Sequence, residues 1–184
     1  DDMVSRGLGD VYKRQDPSTA FDAGPKSNTP EGRDAFVKMV EYLDSRIGKI
    51  FKTLKKEGQL DNTLIIFTSD NGGMLSGNCW PLKKSKQYLE EGGIRVPCLM
   101  QWPKVIPSGS VSAQPSIMMD ASVTVLEAGG ARKIMPKDRE LDGINLLPVL
   151  SGKAEIDSKR TFGWRRRDWG PTGNYLRQEA YRSG

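Results

Sequence analysis

The stretch Thr63-Leu64-Ile65-Ile66-Phe67-Thr68-Ser69-Asp70-Asn71-Gly72-Gly73, TLIIFTSDNGG, carries the reading of the fold. Its first half is a short apolar, β-branched run bounded by turn residues, which predicts a buried strand of a parallel sheet. Its second half falls where open α/β sheets bind ligands, beyond the carboxyl end of a strand. Asp70 and Asn71 there offer a carboxylate and an amide carbonyl, hard oxygen donors suited to Ca²⁺ or Mg²⁺. Gly72 and Gly73 would let the backbone turn away without steric conflict. The same letters also make an excellent turn, so Asp-Asn-Gly alone leaves both readings open.

Upstream, Phe36, Val40, Leu43, Ile47, Ile50, Phe51 and Leu54 recur at spacings of three and four, predicting one buried face of a helix from Glu31 to about Glu57. Thr29 and Pro30 suit its cap and first turn, and Gly58 its C-terminal stop. Helix followed by buried strand indicates an α/β architecture. Downstream, SDNGGMLSGNCWPLKKSKQYLEEGGIRVP is a long loop dense in glycine and charge, a kind usually functional or disordered. VPCLMQWP reads as a second strand between Pro97 and Pro103, which would bury Cys98, while Cys79 lies in a polar loop. A helix is expected from about Met119 to Gly129-Gly130, then a turn and short helical piece in LDGINLLPVLSGK, then small antiparallel strands in the last thirty residues.

The chain has 184 residues, 36% of them hydrophobic, with a mean hydropathy of -0.55. That is too apolar for a disordered chain and fits one globular piece with long polar loops. No apolar run approaches the roughly 20 residues that span a bilayer. Two cysteines exclude a disulfide framework and lack zinc spacing, and the absence of histidine removes imidazole from any chemistry. Chemistry must then rest on carboxylates, amides, lysines or a thiol. The net charge of +5 is concentrated after Lys153, where Arg165-Arg166-Arg167 stand among Phe162, Trp164 and Trp169. Such a stretch can bind nucleic acid or an anionic sugar, but an ordinary solvated loop is the preferred reading. Residues 1–15 read as translated sequencing adaptor: GAT GTG TAT AAG AGA CAG encodes Asp10 to Gln15, and further adaptor bases supply Ser5 to Gly9. They are left out of the fold reading.

Five ordered elements resemble the C-terminal half of the catalytic domain of formylglycine-dependent sulfatases, of alkaline-phosphatase-like α/β fold. They are the helix VEYLDSRIGKIFKTLKKEGQLDN, the strand TLIIFTSDNGG, the loop PLKKSK, the turn EEGGIRVPCLMQWP and the element LDGINLLPVLSGK, in that order over roughly residues 31–184. The resemblance implies that Asp70 and Asn71 are ligands of a metal, calcium or alternatively magnesium, and that Lys86 is a catalytic residue binding the sulfate group. Lys83 and Lys84 are exposed neighbours, and Glu91-Gly92-Gly93 is a turn placing Arg95. It further implies a domain organisation of 16–152 for the catalytic half and 153–184 for the start of a C-terminal subdomain. The substrate would be a sulfated small molecule or sulfated glycan, with no nucleic acid partner, and the protein periplasmic, secreted or lysosomal.

Asn78-Cys79-Trp80-Pro81-Leu82-Lys83 comes close to the family's nucleophile motif, in which Cys or Ser precedes x-Pro-x-Arg and becomes formylglycine. Cys79 follows the Asp-Asn element instead of preceding it, and Lys83 stands where arginine is required. Cys79 therefore reads as a loop thiol, and the formylglycine is expected upstream. Two other readings stay open. A metal-dependent phosphohydrolase or phosphomutase of the same superfold commonly has Asp-His-Gly where Asn71 stands here. A noncatalytic anion-binding module would use the basic C-terminal segment.

Overall fold

The computed structural model describes residues 30–74, 77–135, 137, 138, 140–169 and 175–183. The adaptor-like segment, the loop through residue 29 and the Thr29 cap lie outside the described residues. The chain divides into two units, one of residues 1–47 with 74–78 and one of residues 48–73 with 79–184.

Helix α1, Pro30–Lys56, contributes its first part to the first unit and its last turns to the second. Its end is set by backbone chemistry. Gly58 takes φ of 65°, the Gly58 N–H donates to the Lys55 carbonyl at 3.1 Å and the Gln59 N–H to the Leu54 carbonyl at 2.9 Å. That is a Schellman closure, which satisfies carbonyls the helix leaves open. The apolar stripe has the expected period, but no residue of α1 is buried. Phe36, Ile47, Phe51 and Leu54 are half-buried, while Val40, Leu43 and Ile50 are exposed. Periodicity selects a face; only a partner surface buries it.

The second unit holds the rest. Strand β1, Ile65–Thr68, pairs with β2, Cys98–Gln101, placing Ile65 opposite Gln101 and Thr68 opposite Cys98. The pairing is antiparallel, which corrects the expected parallel arrangement. A parallel return needs a crossover of a dozen or more residues, usually helical, whereas the connection here contains only the one-turn helix α2, Glu91–Ile94. The strands are also less enclosed than expected. Phe67 is exposed, and so is Cys98, because a two-stranded ribbon of four residues per strand shields little of its own surface.

Helix α3, Met118–Ala128, ends at Gly129-Gly130 as the sequence indicates, with Gly130 at φ of 72°. Helix α4, Leu147–Leu150, follows the Asp142-Gly143 turn. Strands β3, Thr161–Trp169, and β4, Tyr175–Ser183, form an antiparallel pair with Thr161 opposite Ser183. Ile106, Leu146 and Phe162 are the buried hydrophobic residues among those described, and Asp120 and Thr124 are fully buried.

A buried carboxylate has to be fully hydrogen-bonded. Asp120, at the third position of α3, accepts the Ile117 N–H at 2.8 Å and the Ile144 N–H at 2.8 Å. Arg160 closes on it with both guanidinium nitrogens, at 2.7 and 2.8 Å. Burial alone would push this carboxyl up, but the Arg160 guanidinium and the two backbone N–H groups outweigh it and hold Asp120 below the usual carboxylate range. Thr124 accepts the Leu146 N–H at 2.9 Å, and a Cβ on Gly143 would sit 2.2 Å from the Met119 carbonyl oxygen. These contacts seat the Asp142–Leu150 segment and the root of β3 on α3.

Candidate functional site at the carboxyl end of β1

β1 delivers Ser69, Asp70 and Asn71 at its carboxyl end. Asp70 is exposed and Asn71 half-buried. The Ser69 hydroxyl lies 2.9 Å from the Asn71 carbonyl oxygen, donating to it, and reaches toward Asp70 Oδ1 at 3.5 Å. Asn71 Nδ2 donates to the Gly72 carbonyl at 3.1 Å, so the amide's Oδ1 is its accepting atom. The donor set is thus one carboxylate and one amide oxygen, both hard, which fits calcium or magnesium chemically. Among the described residues no cluster of three or more His, Cys, Asp or Glu side chains gathers around a point.

Glycine brings the surrounding loops together, for a reason other than the one expected. Gly72 does not use the left-handed region; it allows contact. A Cβ on Gly72 would lie 1.8 Å from the Gly92 carbonyl oxygen, one on Gly92 2.2 Å from that of Lys84, and one on Gly93 2.0 Å from that of Tyr88. Backbone hydrogen bonds lock the same junction: Gly72 N–H to Gly93 O at 2.9 Å, Gly92 N–H to Lys83 O at 2.8 Å and Lys86 N–H to Gly73 O at 2.8 Å. Three segments, 72–73, 83–88 and 92–93, therefore meet through main-chain hydrogen bonds. Glu91-Gly92-Gly93 is a turn of helix, and its Glu91 pairs with Arg95 at 3.3 Å.

Lys86 is exposed on this junction. The residues two before it and one after it, Lys84 at φ of 64° and Gln87 at 80°, occupy the left-handed region without being glycine. Such conformations cost of order 1–3 kcal/mol each and persist only where surrounding bonds enforce them. The Lys84 ammonium lies 4.8 Å over the Tyr88 ring, and Lys83 is exposed. Cys79 is half-buried and its thiol donates to the Gly73 carbonyl at 3.6 Å, the same carbonyl that receives the Lys86 N–H. This is the position of a loop-bracing thiol.

A cavity of about 220 Å³ opens beside Ser69 and Asp70 and is walled by β1, β2, α3 and β3. Sequence reasoning did not find it. Its walls come from residues up to ninety-six positions apart, Thr68 to Trp164, and no local pattern links them.

The carboxyl end of β1 thus presents two oxygen donors, Asp70 and Asn71, beside a loop that carries Lys86 and is bonded to Gly73. The chain belongs to the sulfatase family, whose model matches residues 8–131. It is 40% identical to the dog protein Arylsulfatase H over 124 residues, 62% of this chain and 22% of that protein. The structure of Ps i-CgsB in complex with k-i-k-neocarrahexaose superposes with a TM-score of 0.73 at 33% identity, covering 86% of this chain and 34% of that one. The phosphonate monoester hydrolase SpPMH from Silicibacter pomeroyi superposes at 0.56 and 27% identity, over 72% of this chain and 25% of that one. The fold is therefore the alkaline-phosphatase-like α/β fold of the sulfatases, and the chain spans about a fifth of the length of the curated relatives it matches. No helix among the described residues is long and apolar enough to cross a membrane.

Proposed function

We propose that this chain supplies part of the active site of an enzyme hydrolysing sulfate esters, with Asp70 and Asn71 as metal ligands and Lys86 as the sulfate-binding cation. The observation that carries the reading is the main-chain junction joining the carboxyl end of β1 to the Lys86 loop through Gly73. Asp70 and Asn71 would hold a calcium ion, which when bound would supply positive charge to the sulfate oxygens. Lys86 binds a sulfate oxygen and stabilises charge that grows on it as the ester bond breaks. The bond from the Lys86 N–H to the Gly73 carbonyl holds its backbone in place, so the ammonium searches less space. The attacking group is assigned to a formylglycine within the larger part of the relatives' length that this chain does not span. The substrate class is a sulfated small molecule or glycan.

Calcium normally takes about six to eight oxygens, and two protein donors leave the rest to water, so affinity of this chain should be weak. Calorimetric titration with CaCl₂ is expected to show millimolar-range binding that Asp70→Ala abolishes. Calcium binding unchanged by Asp70→Ala would sink the metal assignment.

The likeness to a phosphonate monoester hydrolase favours one second reading, since phosphonate and sulfate monoesters are both tetrahedral oxyanions. In the intact enzyme, a higher kcat/KM for an aryl phosphonate than for the matching aryl sulfate would select it. Heparin affinity that survives Asp70→Ala, without any metal binding, would instead select the noncatalytic anion-binding module.

A further inference from the structure

We infer that the cavity beside Asp70 is a binding pocket for a single hydrophobic ring, the uncharged part of the ligand whose anionic group is handled at Asp70 and Lys86. The second half of that statement rests on the sulfatase reading; ring binding itself does not. The cavity's polarity is graded. Its buried members, Leu146 and Phe162, and the half-buried Met100, Ile117 and Trp164 are apolar; the half-buried Thr68 and Ser69 already spend their hydroxyl hydrogens on the Pro97 and Asn71 carbonyls, and the charged residues on it, Asp70 and Arg95, are exposed. A sugar ring buried there would leave hydroxyl groups facing carbon, at a cost of roughly 1–3 kcal/mol for each unpaired group. A hydrocarbon ring carries no such penalty and is drawn in by apolar burial.

Size and rigidity agree with that occupant. A volume of about 220 Å³ holds one six-membered ring and little more. Phe162 and Trp164 stand 6.0 Å apart and tilted by 58°, giving an aromatic corner against which a ring can pack edge to face. That corner is fixed from behind: the Arg160 guanidinium lies 4.8 Å over Phe162 while both its nitrogens are held by Asp120. Arg160 also donates to the Pro115 carbonyl at 3.0 Å, and Gln114 pairs with the backbone of Asp157 at 2.9 and 3.2 Å. The pocket wall from β3 is thereby tied to the wall from α3. Asp70 belongs to both sites, so a ligand with a ring in the cavity presents its ester linkage at the metal-binding end of β1.

The probe is p-cresol, with methyl glucoside as the polar ring of similar size. Two readouts report on the cavity in the full chain: tryptophan emission, and protection of the Cys98 thiol, which lines the cavity. Saturable binding of p-cresol is expected, slowing alkylation of Cys98 and not that of Cys79, with methyl glucoside at least tenfold weaker. Ala121→Phe should fill the cavity and weaken p-cresol at least tenfold. Ala121 is on α3, so Cys98→Phe, at an exposed strand position, serves as a second filling variant that keeps the fold, read by emission alone. A linear, non-saturating response, equal affinity for methyl glucoside, or unchanged binding in the folded filling variants would overturn the inference. Asn71→Ala separates the two claims, because Asn71 does not line the cavity. It should weaken calcium binding at least tenfold and leave p-cresol binding within a factor of two. In the wild-type chain, calcium binding without saturable p-cresol binding fails only the pocket, whereas calcium binding unchanged in Asn71→Ala beside intact p-cresol binding fails only the metal assignment.

Discussion

Gly92 shows how little of the site's geometry depends on side chains. Its Cβ position lies 2.2 Å from the Lys84 carbonyl oxygen and 2.4 Å from that of Lys83, both backbone atoms that cannot swing aside. Gly92→Ala must therefore push the Lys83–Tyr88 loop outward. We expect a loss of about 1–3 kcal/mol in denaturant unfolding, as for other overpacked positions. In the intact enzyme it should also lower turnover, because Lys86 rides on that loop. Lys86→Ala should cost about 10²- to 10³-fold in kcat if it removes one oxyanion-stabilising group. Cys79→Ser should leave kcat nearly unchanged, since a hydroxyl can donate to Gly73 as the thiol does. An inactive Cys79→Ser beside an active Lys86→Ala would reverse both assignments. The residues proposed for this site could be named from the sequence because they sit in one short run, Asp70 to Lys86. The reason for its glycines was not, because a close approach between backbones twenty residues apart leaves no trace in local pattern.

Elements whose boundaries depend on local chemistry came out of the sequence nearly intact. Proline at the start of α1, Gly58 at its end and Gly129-Gly130 after α3 act through their own backbones, so neighbours in sequence suffice to place them. Gly58→Ala should cost about 1 kcal/mol, the penalty of a Cβ in the left-handed region, measurable as a lowered denaturation midpoint with unchanged slope. Strand partnership and burial were less legible, because they depend on what lies across the sheet. Apolar runs at Ile65–Phe67 and Cys98–Met100 suggested full enclosure, yet Phe67, Cys98 and Leu99 are exposed. This reverses the accessibility implied by a buried Cys98 and a loop Cys79. Burial pushes the Cys98 thiol up, so the thiolate forms late, although the residue is accessible. Well above the raised pKa of Cys98, peptide mapping after alkylation should find Cys98 modified ahead of Cys79. Faster modification of Cys79 at high pH would contradict the strand's exposure.

For the whole molecule, the contact that holds distant parts of the second unit together was invisible in the sequence. Asp120 and Arg160 are forty residues apart and follow no recognisable spacing, yet they form the buried ion pair that seats β3 on α3. Its pH dependence has a definite sign. The carboxyl of Asp120 is held below its ordinary value in the folded chain, so the pair contributes its full stability above the unfolded pKa, near 3.9. The contribution is lost as pH falls from there through the lower, folded pKa, when Asp120 takes up a proton that the native contacts resist. Acid unfolding of the wild-type chain should then steepen below about pH 4. Breaking the pair from one side leaves a buried charge without its partner, at about 3–5 kcal/mol, a large share of the roughly 5–15 kcal/mol that holds a domain. Arg160→Ala is therefore expected to unfold at much lower denaturant at pH 7, to lose part of the acid step seen in the wild type, and to release the Phe162 and Trp164 wall of the cavity. Wild-type and Arg160→Ala stabilities that fall in parallel from pH 6 to pH 3 would show that Asp120 titrates as an ordinary carboxylate and that the pair does not govern the fold's response to acid.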